Sequence, residues 1–156
     1  MTISDLGAAL PTRPHLNVHF ALAIDGLASV NFSQCTGLGG EVGVEEYAEG
    51  GENRFTHRLP VRVGFGNLVL KQGAGPGLGL WHWWGEYLSL GRVKPRDGVV
   101  TLLTWDLGAP RPVRSWRFTR GWPVKMSGPD LDAQAAAVAV ETIEIAHHGL
   151  KLVELF

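Results

Sequence analysis

Apolar and polar residues alternate near the start of the chain in the pattern of a strand with one buried face. Over residues 16–24, five apolar residues alternate with smaller or polar ones, and a period of two predicts β-structure. The turn signal Asp25-Gly26 follows directly. A second strand is predicted around Val30 and Phe32, where apolar residues again alternate with polar ones.

One segment has the clear periodicity of an amphipathic helix. We predict this helix over about residues 78–90, with Gly91 placed to end it. Its apolar residues lie three or four positions apart and would share one buried face. These residues are Leu80, Trp83, Trp84, Tyr87 and Leu88.

Further strands are predicted at 67–71, 99–107 and 112–120, the last two joined by a turn at 108–110. The segment 138–147 is ambiguous, because its apolar residues also fit a helical period. Two β-branched pairs favour a strand there, with a bulge near Glu141–Thr142. These pairs are Val138 with Val140 and Ile143 with Ile145. The sum of these elements predicts an all-β barrel or sandwich with one helix.

Composition narrows the classes of protein. A chain of 156 residues favours one domain, here residues 15–156, after a loose lead-in over 1–14. Charged residues make up only 19%, which excludes a charge-rich disordered chain and suggests that much of the surface faces another protein. The net charge of −1 argues against a dedicated nucleic-acid site. The single Cys35 excludes an internal disulfide, and we expect neither a signal peptide nor a membrane anchor.

Catalytic and ligand-binding patterns are weak. The glycine-rich segment 73–79 matches neither a dinucleotide fingerprint nor a phosphate loop. Adjacent residues of a strand point to opposite faces, so His147 and His148 are poorly placed to share a metal ion. No nucleophile elbow is present. We interpret Cys35 as a small buried residue at the end of a strand rather than as a nucleophile. We therefore expect no enzymatic activity, no metal and no cofactor.

The charges are segregated along the chain. Five of the 15 acidic residues lie within residues 41–52, on a predicted protruding hairpin of about 41–56, whereas no acid occurs between Leu107 and Pro129. We expect these oppositely charged segments to meet between copies of the chain. The interface candidates are Glu41, Glu45, Glu46, Tyr47, Glu49, Glu52, Arg111, Arg114, Arg117, Arg120 and Lys125. In a strand, Arg114, Trp116, Phe118 and Arg120 would share one aromatic–arginine face, with Arg117 on the other.

Several segments, in order from about Leu16 to Leu150, resemble the tail-tube proteins of contractile phage tails and contractile injection systems. The segment 123–133 followed by the segment 138–150 carries the most specific likeness. The matching segments are FALAIDGL (20–27), FSQCTGL (32–38), EEYAEGG (45–51), LVLKQG (68–73), PVKMSGPDLDA (123–133) and VAVETIEIAHHGL (138–150).

The resemblance implies a barrel-like β-sandwich of the tail-tube type and a structural subunit that forms stacked hexameric rings around a channel. It resolves the C-terminal segment as a strand, and it implies that the hairpin reaches a neighbouring subunit or ring. Its implied partners are the chain itself, sheath and baseplate proteins, and cargo or a tape-measure protein in the lumen. It implies assembly in the bacterial cytoplasm, as part of a phage tail or tail-like particle.

Two alternatives remain open at this point. The sequence departs from the family pattern at Ala48, Asp132, Ala136 and His148 and in the aromatic run LWHWW. A tube-initiating subunit of the baseplate would fit the same motifs as the repeating tube subunit. A carbohydrate-binding β-sandwich is the alternative from another class, because six tryptophans could supply flat binding platforms.

Overall fold

Short antiparallel strands dominate the structure, as the alternation of apolar residues predicts. The computed structural model describes residues 19–154 except 52, 76 and 135. The lead-in 1–14 and the start of the first predicted strand lie outside these residues. The elements are β1 (His19–Ile24), β2 (Val30–Phe32), β3 (Gln34–Thr36), β4 (Gly40–Tyr47), β5 (His57–Phe65), β6 (Leu68–Gly73), α1 (Gly79–Leu90), β7 (Arg96–Asp106), β8 (Ala109–Ser127), β9 (Val140–Ala146) and β10 (Gly149–Val153).

One long strand belongs to both layers of the fold. The larger sheet has the order β2-β1-β7-β8-β9-β6-β3, with β10 also paired to β8. The first part of β8 pairs with β7 and β10, and its last part pairs with β9. Between them Arg120 adopts a positive φ of 50°, and its backbone N–H donates to the Asp97 carboxylate at 2.9 Å. This irregularity lies where β8 passes from one layer to the other.

The edge strands β2 and β3 lie close together, but they do not pair with each other by backbone hydrogen bonds. Strands β2 and β3 are separated only by Ser33, whose backbone N–H donates to the carbonyl oxygen of Lys71 at 2.9 Å. The sheet therefore folds over into two layers joined at this corner. The predicted all-β fold with one helix is confirmed, and its form is a barrel-like sandwich that does not close into a barrel.

The core lies between the two layers and under the start of the helix. Strands β1, β6, β7, β8 and β9 each contribute apolar side chains that are almost fully buried. The least exposed are Leu22, Leu68, Leu70, Val100, Phe118, Ile143 and Ile145. Gly98 and Gly121 flank Phe118 so closely that a Cβ at either would lie within 2.6 Å of its ring, so these glycines make room for this fully buried ring.

Helix α1 has nearly the predicted bounds but not the predicted buried face. Gly91 ends it in the left-handed conformation, with φ of 63°, and donates its N–H to Tyr87. Only Leu80 and Trp83 are buried, whereas Leu88 is 68% exposed. The stripe prediction is therefore wrong for the last two turns, because the helix packs on the core only through its N-terminal half.

The C-terminal segment is a strand, but the predicted bulge near Glu141–Thr142 is wrong. Glu141, Ile143 and Ile145 point inward in regular alternation, and the irregularity lies on the partner strand, between Pro123 and Lys125. The prediction assumed that a valine would take the first inward position. Glu141 takes it instead, because its carboxylate finds hydrogen-bond donors there.

Candidate assembly surface

Strands β4 and β5 form a two-stranded sheet that pairs with no other described strand. The return strand continues to Phe65, so the hairpin is longer than the predicted range of about 41–56. A hairpin on its own is only marginally stable in water. This element therefore depends on contacts with something else to hold its shape.

Apolar side chains lie on both faces of this hairpin. The register pairs Val42 with Val63 and Val44 with Pro60 on one face. On the other face, Leu59 lies opposite Glu45, and a Cβ placed on Gly43 would come within 2.8 Å of Val61. Seven large apolar residues are 37–57% exposed. They are Val42, Val44, Tyr47, Leu59, Val61, Val63 and Phe65. The described part of the chain covers neither face.

The hairpin carries basic as well as acidic residues. The sequence interpretation did not include the basic ones. Glu46 faces Arg58 across the strands with a shortest N–O distance of 3.8 Å, and Glu49 lies 3.2 Å from His57. These basic partners lie at or beyond residue 57, on the return strand, outside the acidic segment 41–52. A cross-strand register drawn from a turn at Gly50-Gly51 could have revealed these pairs.

The remaining acidic candidates are placed differently. Among the described residues, Glu41 and Glu45 make no ion pair, and both are exposed. Tyr47 is also exposed, at the end of β4. Glu52 lies outside the described residues.

The basic candidates are exposed but spread along β8. They are Arg111, Arg114, Arg117, Arg120 and Lys125. No described ion pair joins them to the hairpin of the same chain. Arg111 instead pairs with Asp106 at 3.3 Å, and Arg117 lies directly opposite Lys151 of β10.

The predicted aromatic–arginine face on β8 is wrong. Phe118 is fully buried in the core, and the positive φ of Arg120 breaks the alternation that would align this residue with Arg114. Alternation along a strand identifies residues that share a face, but it does not identify which face is covered.

The two histidines and the cysteine considered above as metal ligands or nucleophile pack against other side chains of the fold. The His147 ring contacts the rings of Phe65 and Phe118, with centroid distances of 5.7 and 6.1 Å. His148 contacts Trp122 instead. Burial raises the pKa of the Cys35 thiol to about 11, which disfavours the reactive thiolate.

Within the residues described, no group of His, Cys, Asp or Glu could hold a metal ion. No described helix is long and apolar enough to span a membrane.

The tryptophans do not form a sugar-binding platform. Trp83 is buried in the core, and Trp105 is the one tryptophan among the exposed large apolar residues. The Trp81 indole N–H donates to Glu141. The carbohydrate-binding alternative rested on several tryptophans as flat platforms, and the structure leaves one of the described tryptophans exposed.

The fold is that of tube proteins from contractile tail-like particles. A chain from the structure of the anti-feeding prophage tube-terminating cap matches with a TM-score of 0.80 at 23% identity, over 99% of this chain and 100% of the other. A chain of an extracellular contractile injection system, in its PVC sheath–tube complex, matches at 0.77 and 20% identity, over 93% and 95%. A chain of the anti-feeding prophage baseplate matches at 0.74 and 24% identity, over 93% and 97%.

The sequence identifies the family independently. The family model described as T4-like virus tail tube protein gp19 matches residues 16–151. The chain therefore belongs to this tail-tube family. No curated protein matches its sequence significantly.

Proposed function

We propose that this chain is the repeating subunit of the inner tube of a contractile injection system or contractile phage tail. Six copies form a ring, and the rings stack around a central channel. The role is structural, without catalysis. The observation that carries the proposal is the β4–β5 hairpin, which exposes apolar side chains on both faces and pairs with no other described strand.

The uncovered hairpin supplies a driving force of sufficient size. Complete burial of a large apolar side chain is worth about 1.5–3 kcal/mol. The seven hairpin residues are roughly half exposed, so covering them adds about 1 kcal/mol each. The total of several kcal/mol is available at every copy, and it also secures a hairpin that is marginal alone.

Charges orient this contact more than they strengthen it. Glu41 and Glu45 project from the hairpin, whereas Arg117 and Lys151 lie side by side across β8 and β10. Like charges directly opposite each other destabilise a sheet, so an acidic residue from a neighbour relieves this pair. Exposed ion pairs contribute only about 0–1 kcal/mol each, but closed symmetry repeats every contact.

Sheath and baseplate proteins of the same particle are the further partners that we propose. Three solved structures with this fold come from a sheath–tube complex, a baseplate and a cap. Cargo or a tape-measure protein would occupy the channel. Assembly takes place in the bacterial cytoplasm.

Self-assembly of the purified protein tests the proposal. We expect rings of six 16.9 kDa chains, about 100 kDa, together with longer stacks. Mass photometry measures the ring, and negative-stain microscopy measures the stacks. A protein that stays monomeric under all conditions contradicts the proposal. Rings that never stack favour the tube-initiating subunit instead.

A substitution on the hairpin tests the observation itself. Val63→Asp places a charge on the exposed apolar face, and we expect it to abolish rings because an unpaired carboxylate resists burial. Val138→Asp is the matched control, since Val138 is also exposed but lies outside the hairpin. Circular dichroism checks that both variants fold. Normal assembly of Val63→Asp would show that the hairpin is not part of the interface.

A further inference from the structure

The turn between β7 and β8 presents a strained and exposed leucine. Leu107 and Gly108 both have positive φ, 51° and 81°, as in a type I′ hairpin turn. Asn, Asp or Gly normally occupy the first of these positions, because a larger side chain crowds the backbone there. Leu107 is also 92% exposed. Nothing within the described chain offsets either the strain or the exposure.

An open recess lies at the base of the β4–β5 hairpin. Its volume is about 510 Å³, and its walls comprise five glycines together with Leu38, Phe65 and Glu41. This space is ample for one branched apolar side chain. Leu38 packs against the core, so the recess joins the hairpin to the body of the domain.

Three of these glycines are not required by the fold. Gly37 has a φ of 90° and lies against the carbonyl oxygen of Asn67, so it tolerates no side chain. Gly39, Gly64 and Gly66 have no such constraint, because a Cβ at any of them would meet nothing within 4 Å. Their missing side chains leave the recess open.

The turn lies far along β7 from the recess of the same subunit. At the recess, the ring of Phe65 is 5.7 Å from His147, which contacts Phe118. Phe118 lies opposite Gly98 of β7. Asp106 follows eight positions further along β7, about 26 Å away at 3.3 Å per residue. Leu107 therefore cannot reach the recess of its own chain.

We propose that Leu107 of one copy inserts into the recess of the next copy, as a head-to-tail contact between stacked rings. This inference rests on the proposed tube function. Two different patches that meet in this way propagate a stack. The recess is continuous with the exposed β4–β5 hairpin, since Gly40, Gly64 and Phe65 line it, so an occupant from a second copy extends the proposed interface.

A disulfide cross-link tests the contact directly. We expect the double variant Leu107→Cys, Gly66→Cys to give a ladder of linked chains on a non-reducing gel after mild oxidation of assembled tubes. The single variants are the controls and should give no ladder. Cys35 can stay in place, because burial raises the pKa of its thiol to about 11 and slows its reaction. Tubes that assemble without cross-linking would overturn the proposal and would indicate that the turn contacts a different protein.

Leu107→Asn separates assembly from folding. Asparagine tolerates the left-handed conformation, so the melting temperature of the subunit should stay equal or rise. Each of the six contacts between two rings should weaken about ten- to a hundredfold, the equivalent of one buried leucine side chain. The six losses multiply, so stacking of whole rings should fall by much more. Tubes of unchanged length and midpoint concentration would overturn the inference.

Filling the recess should have the same effect as removing the leucine. We expect Gly66→Leu or Gly39→Leu to shorten tubes, whereas Gly85→Leu on the helix should not. If one recess variant fails to fold, the other gives the answer. Wild-type protein that forms no tubes contradicts the proposed function, whereas tubes that persist in folded recess and Leu107 variants contradict only this inference.

Discussion

Replacing Glu141 with leucine should cost the domain several kcal/mol of stability, although leucine suits a core position. Glu141 is buried, with 9% of the residue exposed. It accepts hydrogen bonds from Trp81 Nε1 and Gln72 Nε2, both at 3.1 Å. It thereby ties the start of the helix to two strands. The substitution leaves two partly buried donors without an acceptor.

The magnitude follows from these two bonds. A hydrogen bond to a charged group contributes about 1.5–3 kcal/mol, so losing both costs roughly 3–6 kcal/mol. Partial hydration of the two donors and the added apolar burial offset part of this cost. We therefore expect a net loss of about 2–4 kcal/mol. For a domain of this size, that corresponds to a fall in Tm of roughly 4–16 °C.

Chemical denaturation at a concentration that keeps the protein monomeric measures this loss. The intrinsic tryptophan fluorescence follows unfolding. Glu141→Gln should lose less, because its remaining oxygen still accepts one of the two bonds. Glu144→Gln is the control on the same strand, since Glu144 accepts a single exposed bond from Asn67. A leucine variant within 0.5 kcal/mol of wild type would refute the role assigned to the carboxylate.

Two further predictions concern other parts of the fold. Gly37→Ala should destabilise the domain by about 2 kcal/mol or more, because its Cβ would collide with Asn67 in a backbone conformation that alanine avoids. Gly39→Ala should be nearly neutral, and equal denaturation midpoints for the two variants would contradict this reading. Cys35 in the native protein should react with iodoacetamide at pH 8 roughly a hundredfold more slowly than in the unfolded chain, because a pKa raised from 9.0 to about 11 lowers the thiolate fraction by that factor. The same shift lowers stability as the pH rises from 9 to 11, because the unfolded chain ionises first; comparable alkylation rates would show that the thiol is accessible.

Local patterns predicted the elements better than their packing. Alternation predicted the strand that ends at Ile24, and the helical period with Gly91 predicted the bounds of α1. Neither pattern shows how far an element extends over the core. Tyr87 and Leu88 continue the helical stripe, yet both are exposed because the helix leaves the core after its first turns. Burial depends on the partner surface, which lies far away in the sequence.

For the same reason, only part of the assembly surface could be predicted from the sequence. The acidic segment could be recognised from the sequence itself. The position of Arg58 opposite Glu46 depends on the cross-strand register, which the sequence does not show. The exposed apolar residues of β5 look like ordinary core residues until the fold leaves them uncovered. The positive φ of Arg120 has no sequence signal at all, because it arises where β8 bends between its partners.

The shared strand β8 has a mechanical consequence. Its 19 residues run through both layers as one covalent chain, anchored to β7 and β10 at one end and to β9 at the other. A force that slides one layer over the other must therefore stretch peptide backbone and break ladder hydrogen bonds along β8. Side-chain contacts alone would yield at much smaller loads. The domain is accordingly stiff against shear, and it can transmit a push along its length without its layers separating.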